Sequence, residues 1–76
     1  MRWRRNPYGY TATDVRGVRW LARGPVFGRP VYWVYRNGVR FDHGTDSTPS
    51  PHTTMRSARA ACEAQSQREA AEVLAR

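Results

Sequence analysis

The chain has 76 residues, a formal net charge of +7 and one cysteine. A domain of this length buries only about 60% of the surface that its unfolded chain exposes, so it supports one small core. A single cysteine excludes an internal disulfide, and the sequence has neither an apolar run that could span a membrane nor a signal-peptide-like N-terminus. We therefore expect a soluble cytoplasmic protein of one domain.

The positive charge is unevenly distributed along the chain. Arginine supplies all 13 basic residues, a bias that the codon usage of a GC-rich genome also explains, so the net charge is more informative than the choice of arginine. Residues 1–60 hold eleven arginines against three aspartates, whereas residues 61–76 hold two arginines against three glutamates. This imbalance predicts an anionic partner, which is either nucleic acid or an acidic protein surface.

The N-terminal half contains two predicted elements. Residues 1–7, MRWRRNP, are expected to form a flexible basic arm that lies along phosphates or in a minor groove, and residues 8–76 to form a single α+β domain. Within that domain, residues 8–15 are either an edge strand or an ordered segment without strand pairing. The alternating VRWLAR of residues 18–23 predicts a strand, bounded by Gly17 and by Gly24-Pro25.

A β-hairpin is predicted over YWVYRNGVRFDH, residues 32–43. Asn37-Gly38 suits a two-residue type I′ turn, because both central positions of that turn need positive φ. The resulting register places one apolar set on a core face: Tyr32, Val34, Val39 and Phe41, with His43 at its end. The opposite face mixes aromatic and charged side chains: Val31, Trp33, Tyr35, Arg40 and Asp42.

A C-terminal helix is predicted over about residues 51–75, which are rich in strong helix formers. Its N-cap is expected at Ser50, before Pro51, or alternatively at Thr53. Met55, Ala58, Cys62 and Val73 share one face, and Ser66 and Glu69 interrupt that stripe, so the first three turns are expected to pack on the sheet. The predicted fold is thus an antiparallel β-meander of three or four strands with one C-terminal α-helix packed on one face.

No set of residues predicts catalysis. His43 and His52 do not share a metal-ligand spacing, and Cys62 lies on the predicted buried face of the helix, where it is expected to be a small inert side chain. Nothing supplies a nucleophile together with a base and a group that orients it. We therefore expect no enzyme activity, cofactor, metal or small-molecule substrate.

Arginine and aromatic side chains indicate a binding surface. On the second hairpin face, arginine side chains could bind phosphates or base edges, and aromatic rings could stack on bases. The same side chains are equally typical of protein interfaces. The alternative is that Trp33 and Tyr35 pack against the N-terminal segment as a second core. At the helix start, Arg56 and Arg59 either form an anion site or pair with glutamates one turn away, as Arg59 would with Glu63. The candidate binding residues are Arg2, Arg4, Arg5, Arg19, Arg23, Trp33, Tyr35, Arg40, Arg56 and Arg59.

The order of elements carries a resemblance to known DNA-binding domains. Three antiparallel strands with an RNG turn, followed by a Gly-Thr loop and an Ala-rich helix, resemble the arm-type N-terminal domains of phage integrases and the related plant AP2 domains over about residues 18–65. The chain lacks the lysine-rich helix entry usual in those families. The HGT…RSARAACEA stretch is also similar to the end of a double-stranded-RNA-binding domain, whose first helix is missing here.

The integrase and AP2 resemblance implies that the sheet face opposite the helix enters the DNA major groove, with Trp33, Tyr35, Arg40 and the arginines of VRWLAR at the contact. The leading hypothesis is a small basic nucleic-acid-binding protein, with DNA favoured over RNA, of the phage or mobile-element accessory type. The alternative is a small interaction protein that binds and inhibits a host protein through its aromatic and arginine side chains. A homo-oligomer is compatible with either hypothesis.

Overall fold

A computed structural model describes residues 1–40 and 52–75. Five strands precede one helix: β1 (Arg4–Asn6), β2 (Gly9–Thr13), β3 (Arg19–Arg23), β4 (Trp33–Arg36), β5 (Val39–Arg40) and α1 (Met55–Leu74). All neighbouring strands are antiparallel, and the sheet follows chain order from β1 to β5. The predicted α+β class and the helix packed on the sheet are confirmed, although the sheet has five strands where three or four were expected.

The N-terminus is part of the sheet, in contrast to the flexible arm expected for residues 1–7. β1 pairs with β2, and the Asn6 side-chain oxygen accepts hydrogen bonds from the backbone N–H groups of Tyr8 and Gly9, each at 2.9 Å. Ahead of β1, the Trp3 indole N–H donates to a Glu63 carboxylate oxygen at 2.8 Å, and its ring packs against the core. The arm is therefore anchored to both the sheet and the helix.

Segment 8–15 does contain a strand, but β2 lies between β1 and β3 and is not at the edge. Gly9 makes this pairing possible, because its φ is +151° and a Cβ there would lie 2.1 Å from the carbonyl oxygen of Ala22. A side chain at this position would separate β2 from β3. Gly9 is thus the residue that lets these two strands approach.

The hairpin forms in the predicted register. Tyr35 lies opposite Arg40, and both Asn37 (φ 49°) and Gly38 (φ 84°) have the positive φ that a type I′ turn requires. Asn37 also accepts a hydrogen bond from the Arg19 backbone N–H at 2.9 Å, which ties the turn to β3. The pairs predicted beyond Arg40, with residues 41–43, lie outside the described residues.

The core lies between α1 and the centre of the sheet. Its buried cluster consists of Trp20, Ala22, Val34, Ala58 and Cys62. Predicted burial is confirmed for the last three, while Tyr32 and Met55 are half-buried at its margin. The prediction for Val39 is wrong: its side chain is 69% exposed, because β5 is a short edge strand and α1 lies over β3 and β4. Phe41 lies outside the described residues.

The helix begins later than expected. Thr54 is the N-cap, and its hydroxyl accepts a hydrogen bond from the Ser57 backbone N–H at 3.1 Å, so the predicted caps at Ser50 and Thr53 are wrong. The small side chains of Ala58 and Cys62 let the helix sit close to Trp20, and Val73, placed on the same stripe in the sequence, is 58% exposed. Across residues 1–40 and 52–75, no helix is both long and apolar enough to cross a membrane.

Candidate functional site

One face of the sheet is left open by the helix. Strand alternation and register place on it Arg4, Thr11, Arg19, Leu21, Arg23, Trp33, Tyr35 and Arg40, which we call the open sheet face. Within the described part of the chain, no element packs over this face and no carboxylate lies on it. The N-terminal segment extends the sheet through β1 and β2 and does not cover Trp33 and Tyr35, so it builds no second core there.

Two arginines of this region stack on aromatic rings. The Arg40 guanidinium carbon lies 4.6 Å from the centroid of the Trp33 ring, and that of Arg23 lies 5.5 Å from the centroid of Tyr8. A guanidinium that stacks on a ring is oriented by it, while the N–H donors in its plane stay available to a ligand. The rings therefore hold positive charge in place on the open sheet face.

The pairing of the arginines differs sharply between the two sides of the sheet. Ion pairs within residues 1–40 and 52–75 join Arg16 to Asp14 and to Glu69, and Arg36 to Glu69, at 2.8–2.9 Å. All of these groups lie on the helix side or in the β2–β3 turn. By contrast, the arginines of the open sheet face have no carboxylate partner among the described residues. Within residues 1–40 and 52–75, positive charge on that face is therefore uncompensated.

Asp14 is the centre of the paired region. One of its carboxylate oxygens accepts hydrogen bonds from Arg16, from the Trp20 indole N–H at 3.0 Å and from the Ser66 hydroxyl at 2.8 Å. Its other oxygen accepts the backbone N–H groups of Arg16 and Val18. Burial alone would raise the pKa of Asp14, but these hydrogen bonds outweigh it and hold the pKa far below the usual range.

Glu69 links the helix to the sheet beside this site. The Arg36 guanidinium donates to both Glu69 carboxylate oxygens at 2.9–3.1 Å, and Arg16 and Gln65 donate to the same carboxylate. The Arg36 hydrogen bonds are the largest cause that lowers the pKa of Glu69, to about 2; partial burial opposes them, and Gln65 and Arg16 add smaller lowering contributions. Ser66 and Glu69, which break the apolar stripe in the sequence, are therefore the polar groups that fasten the fourth turn to the sheet.

The candidate arginines of the helix do not join the open sheet face. Arg56 and Arg59 lie in the first turns of α1, and the Arg59 guanidinium carbon is 4.9 Å from the Tyr10 ring, on the helix side. Arg5 is on that side too, directly opposite Tyr10. Arg2, which is exposed, lines a cleft beside Glu63 and Gln67. The ten candidate residues thus fall on two sides of the sheet, and only six of them share the open sheet face.

The pair of Arg59 with Glu63, one of the two alternatives at the helix start, does not form. Glu63 accepts the Trp3 indole N–H, while Arg59 stacks on Tyr10, so Arg59 and Glu63 do not pair. Arg68 donates to Gln65 at 2.8 Å. Arg59 is therefore not paired with Glu63, the carboxylate one helical turn away.

The side chains that could take part in covalent chemistry or bind a metal include one cysteine and two histidines. Cys62 is fully buried, as predicted, and burial together with the nearby Glu63 carboxylate raises its pKa to about 12. The His52 ring nitrogen Nδ1 lies 2.7 Å from the Ser57 hydroxyl at the helix start, whereas His43 is outside the described residues. Among residues 1–40 and 52–75 no group of three potential ligands could hold a metal ion.

The chain matches no family model, no curated protein and no solved structure. A functional interpretation therefore depends on the geometry and charge of the two sides of the sheet.

Proposed function

We propose that this protein binds nucleic acid through the open sheet face, and that duplex DNA is the favoured ligand. One observation carries the proposal: four arginines and two large aromatic side chains, Trp33 and Tyr35, share a face that bears no carboxylate among the described residues. Arginine guanidinium groups donate to phosphate oxygens and base edges, and a cluster without acidic neighbours attracts a polyanion.

The ring geometry favours a duplex over a single strand. Single-strand binding sheets offer free aromatic faces on which bases stack, but the Trp33 ring is covered by the Arg40 guanidinium at 4.6 Å. A guanidinium held at the end of a hairpin suits groove contacts, because the DNA major groove is about 12 Å wide and admits a two-stranded β ribbon. The deep, narrow major groove of duplex RNA does not admit such a ribbon, which favours DNA.

An acidic protein is the second candidate partner, and the half-buried rings of Trp33 and Tyr35 favour it. Aromatic and arginine side chains dominate the energetics of protein interfaces. The two candidates differ in salt dependence, because release of counterions gives DNA binding a steep, linear fall of log affinity with log salt.

Fluorescence anisotropy with labelled DNA tests the proposal. A 20-base-pair duplex of random sequence and its single strand would be titrated with protein at about 50 and 200 mM salt. The test variant is Tyr35→Ala with Arg40→Ala, and the control is Arg68→Ala, which also removes one positive charge but lies on the helix. We expect the wild type to prefer the duplex, the double variant to lose at least tenfold in affinity and the control to stay within about twofold of the wild type.

Circular dichroism would establish that the double variant is folded. Equal losses in the test variant and the control would mean that net charge alone governs binding and would contradict the assignment of the open sheet face. Absence of binding to both the duplex and the single strand, at both salt concentrations, would remove DNA as the partner and leave the acidic protein.

A further inference from the structure

A second group of arginines lies on the side of the sheet that carries the helix. Arg5 in β1 is directly opposite Tyr10, and the Arg59 guanidinium carbon lies 4.9 Å from the Tyr10 ring. Arg56 is exposed in the first turn of α1, next to Met55, which lines the same surface depression as Arg5 and Tyr10. Two elements, β1 and α1, thus bring Arg5, Arg56 and Arg59 to one flank, which we call the helix-side arginine cluster.

This cluster has no neutralising partner within the described residues. None of its three arginines forms an ion pair there, and the carboxylate with the right helical spacing, Glu63, accepts a hydrogen bond from Trp3 instead. The Arg59 Nε atom is shielded from solvent and has no hydrogen-bond partner in the part of the chain that the structure describes. Like charges held together on a surface repel one another, and an anion that bridges them relieves the repulsion.

The cluster and the open sheet face point in opposite directions. Arg4 and Arg5 are neighbours in β1, so strand alternation sends their side chains to opposite sides of the sheet. A DNA duplex has a persistence length of about 150 base pairs and does not bend around a protein of this size without a large cost. A duplex on the open sheet face therefore leaves the helix-side arginine cluster free for a second one.

We infer that the helix-side arginine cluster is a second phosphate-binding surface, and that one molecule bridges two DNA duplexes. The inference rests on the proposed function for the first duplex. The cluster consists of guanidinium groups and has no further side chains that would contact base edges. It is therefore expected to contact the phosphate backbone irrespective of the DNA sequence.

Energy transfer between two duplexes tests the bridging. Two 16-base-pair duplexes, one labelled with a donor and one with an acceptor, would be mixed with limiting protein at low salt. The test variant is Arg5→Gln with Arg56→Gln, two exposed residues that leave the Arg59–Tyr10 stack in place. Its control is Arg29→Gln with Arg68→Gln, which removes the same charge from exposed positions outside both surfaces.

We expect the wild type and the control to bring donor and acceptor duplexes together. In the test variant, the energy transfer should fall at least fivefold, while its affinity for a single labelled duplex stays within threefold of the control. Transfer that persists in the test variant would overturn the inference, and so would a bridged complex that contains two protein molecules by sedimentation velocity.

Failure of the proposed function and failure of the bridging alone give different results in these variants. If the open sheet face were not a DNA site, the Tyr35→Ala, Arg40→Ala variant would bind a single duplex as well as the wild type does. If only the second surface were absent, single-duplex binding would still depend on Tyr35 and Arg40, and no variant or wild-type protein would transfer energy between duplexes.

Discussion

Arg36 and Arg40 stand four residues apart on one hairpin, yet their surroundings differ completely. Arg36 faces the helix and forms a bidentate hydrogen-bonded ion pair with Glu69. Arg40 faces the other way, stacks on Trp33 and has no carboxylate partner among the described residues. The role of an arginine therefore depends on the face of the sheet on which it lies. On the helix side it stabilises the fold, and on the open sheet face it remains available to a ligand; residue type and total charge do not distinguish the two roles.

The paired region also explains why the open sheet face is so basic. Asp14, Glu63 and Glu69 are three of the six acidic residues in the chain, and all three are engaged with groups on the helix side or in the β2–β3 turn. Glu72 lies near the end of α1, and Asp42 and Asp46 are outside the described residues. Internal pairing thus removes acidic groups from the surface where a polyanion would bind.

The largest expected effect is on the paired region. Asp14→Ala would leave the buried Trp20 indole N–H, the Ser66 hydroxyl and the Arg16 guanidinium without their shared acceptor. Removal of one partner from such a buried charged network costs about 3–5 kcal/mol, which is a large part of the stability of a domain this small. Urea denaturation measures the loss, and Glu72→Ala, an exposed position, is the control.

A loss of less than about 1 kcal/mol in Asp14→Ala would show that the carboxylate is not the support of the β2–β3 turn, since surface substitutions cause changes of that size. The same result would mean that the ion pairs do not hold the helix on the sheet. The apolar contacts of Trp20 with Ala58 and Cys62 would then be what holds it there.

Acid should weaken the same region in a defined window. The folded pKa of Glu69 is about 2 against an ordinary value of 4.5, and the pKa of Asp14 is also lowered. As pH falls below about 4.5, the unfolded chain takes up protons that the folded carboxylates do not, so the stability falls until the folded pKa values are reached. We expect a loss on the order of 2 kcal/mol between pH 5 and pH 2.5, measured by urea denaturation.

Glu69→Gln is the variant that locates this acid effect. The substitution should reduce the slope of stability against pH, because one of the two lowered carboxyl groups is gone, while Asp14 keeps its share. An unchanged slope would assign the acid sensitivity to carboxyl groups outside this network.

Arg36→Gln and Arg40→Gln test the hairpin comparison directly. Arg36→Gln should destabilise the fold by about 1–2 kcal/mol, a value that is limited because its side chain is 39% exposed and solvent screens the pair. Arg40→Gln should change stability by less than about 0.5 kcal/mol and lower the affinity for duplex DNA. Thermal denaturation and anisotropy on the same two proteins measure both quantities, and the reverse pattern would contradict the assignment of the two faces.

Local signals in the sequence predict much of this architecture. Asn37-Gly38 gives the hairpin and its register, because few residue pairs adopt two positive φ values in succession. The alternation of VRWLAR gives β3, and the composition of the C-terminal segment gives the helix. The faces follow from the register, and Trp33, Tyr35 and Arg40 lie on one face as the sequence predicts.

The contacts between distant segments were beyond local signals. Trp3 meets Glu63 and Asp14 meets Ser66 only after the sheet and the helix have packed, so no periodicity reveals either pair. The strand at residues 4–6 is three residues long and begins with two arginines, a composition that also suits a flexible arm. Helical spacing favoured a pair of Arg59 with Glu63, but Tyr10 and Trp3 compete for these two side chains across the sheet–helix interface.

The smallest expected effect on stability belongs to Arg19→Gln combined with Arg23→Gln, on the open sheet face. Neither residue has a carboxylate partner among the described residues, and both are exposed, so the free energy of unfolding should change by less than about 0.5 kcal/mol. Each arginine that neutralises a phosphate contributes about 0.9 to the slope of log affinity against log salt. The double variant should therefore bind duplex DNA with a slope shallower by up to about 1.8, measured by anisotropy across four salt concentrations. A weaker affinity with an unchanged slope would mean that these arginines contact base edges instead of phosphates, because only phosphate contacts release condensed counterions.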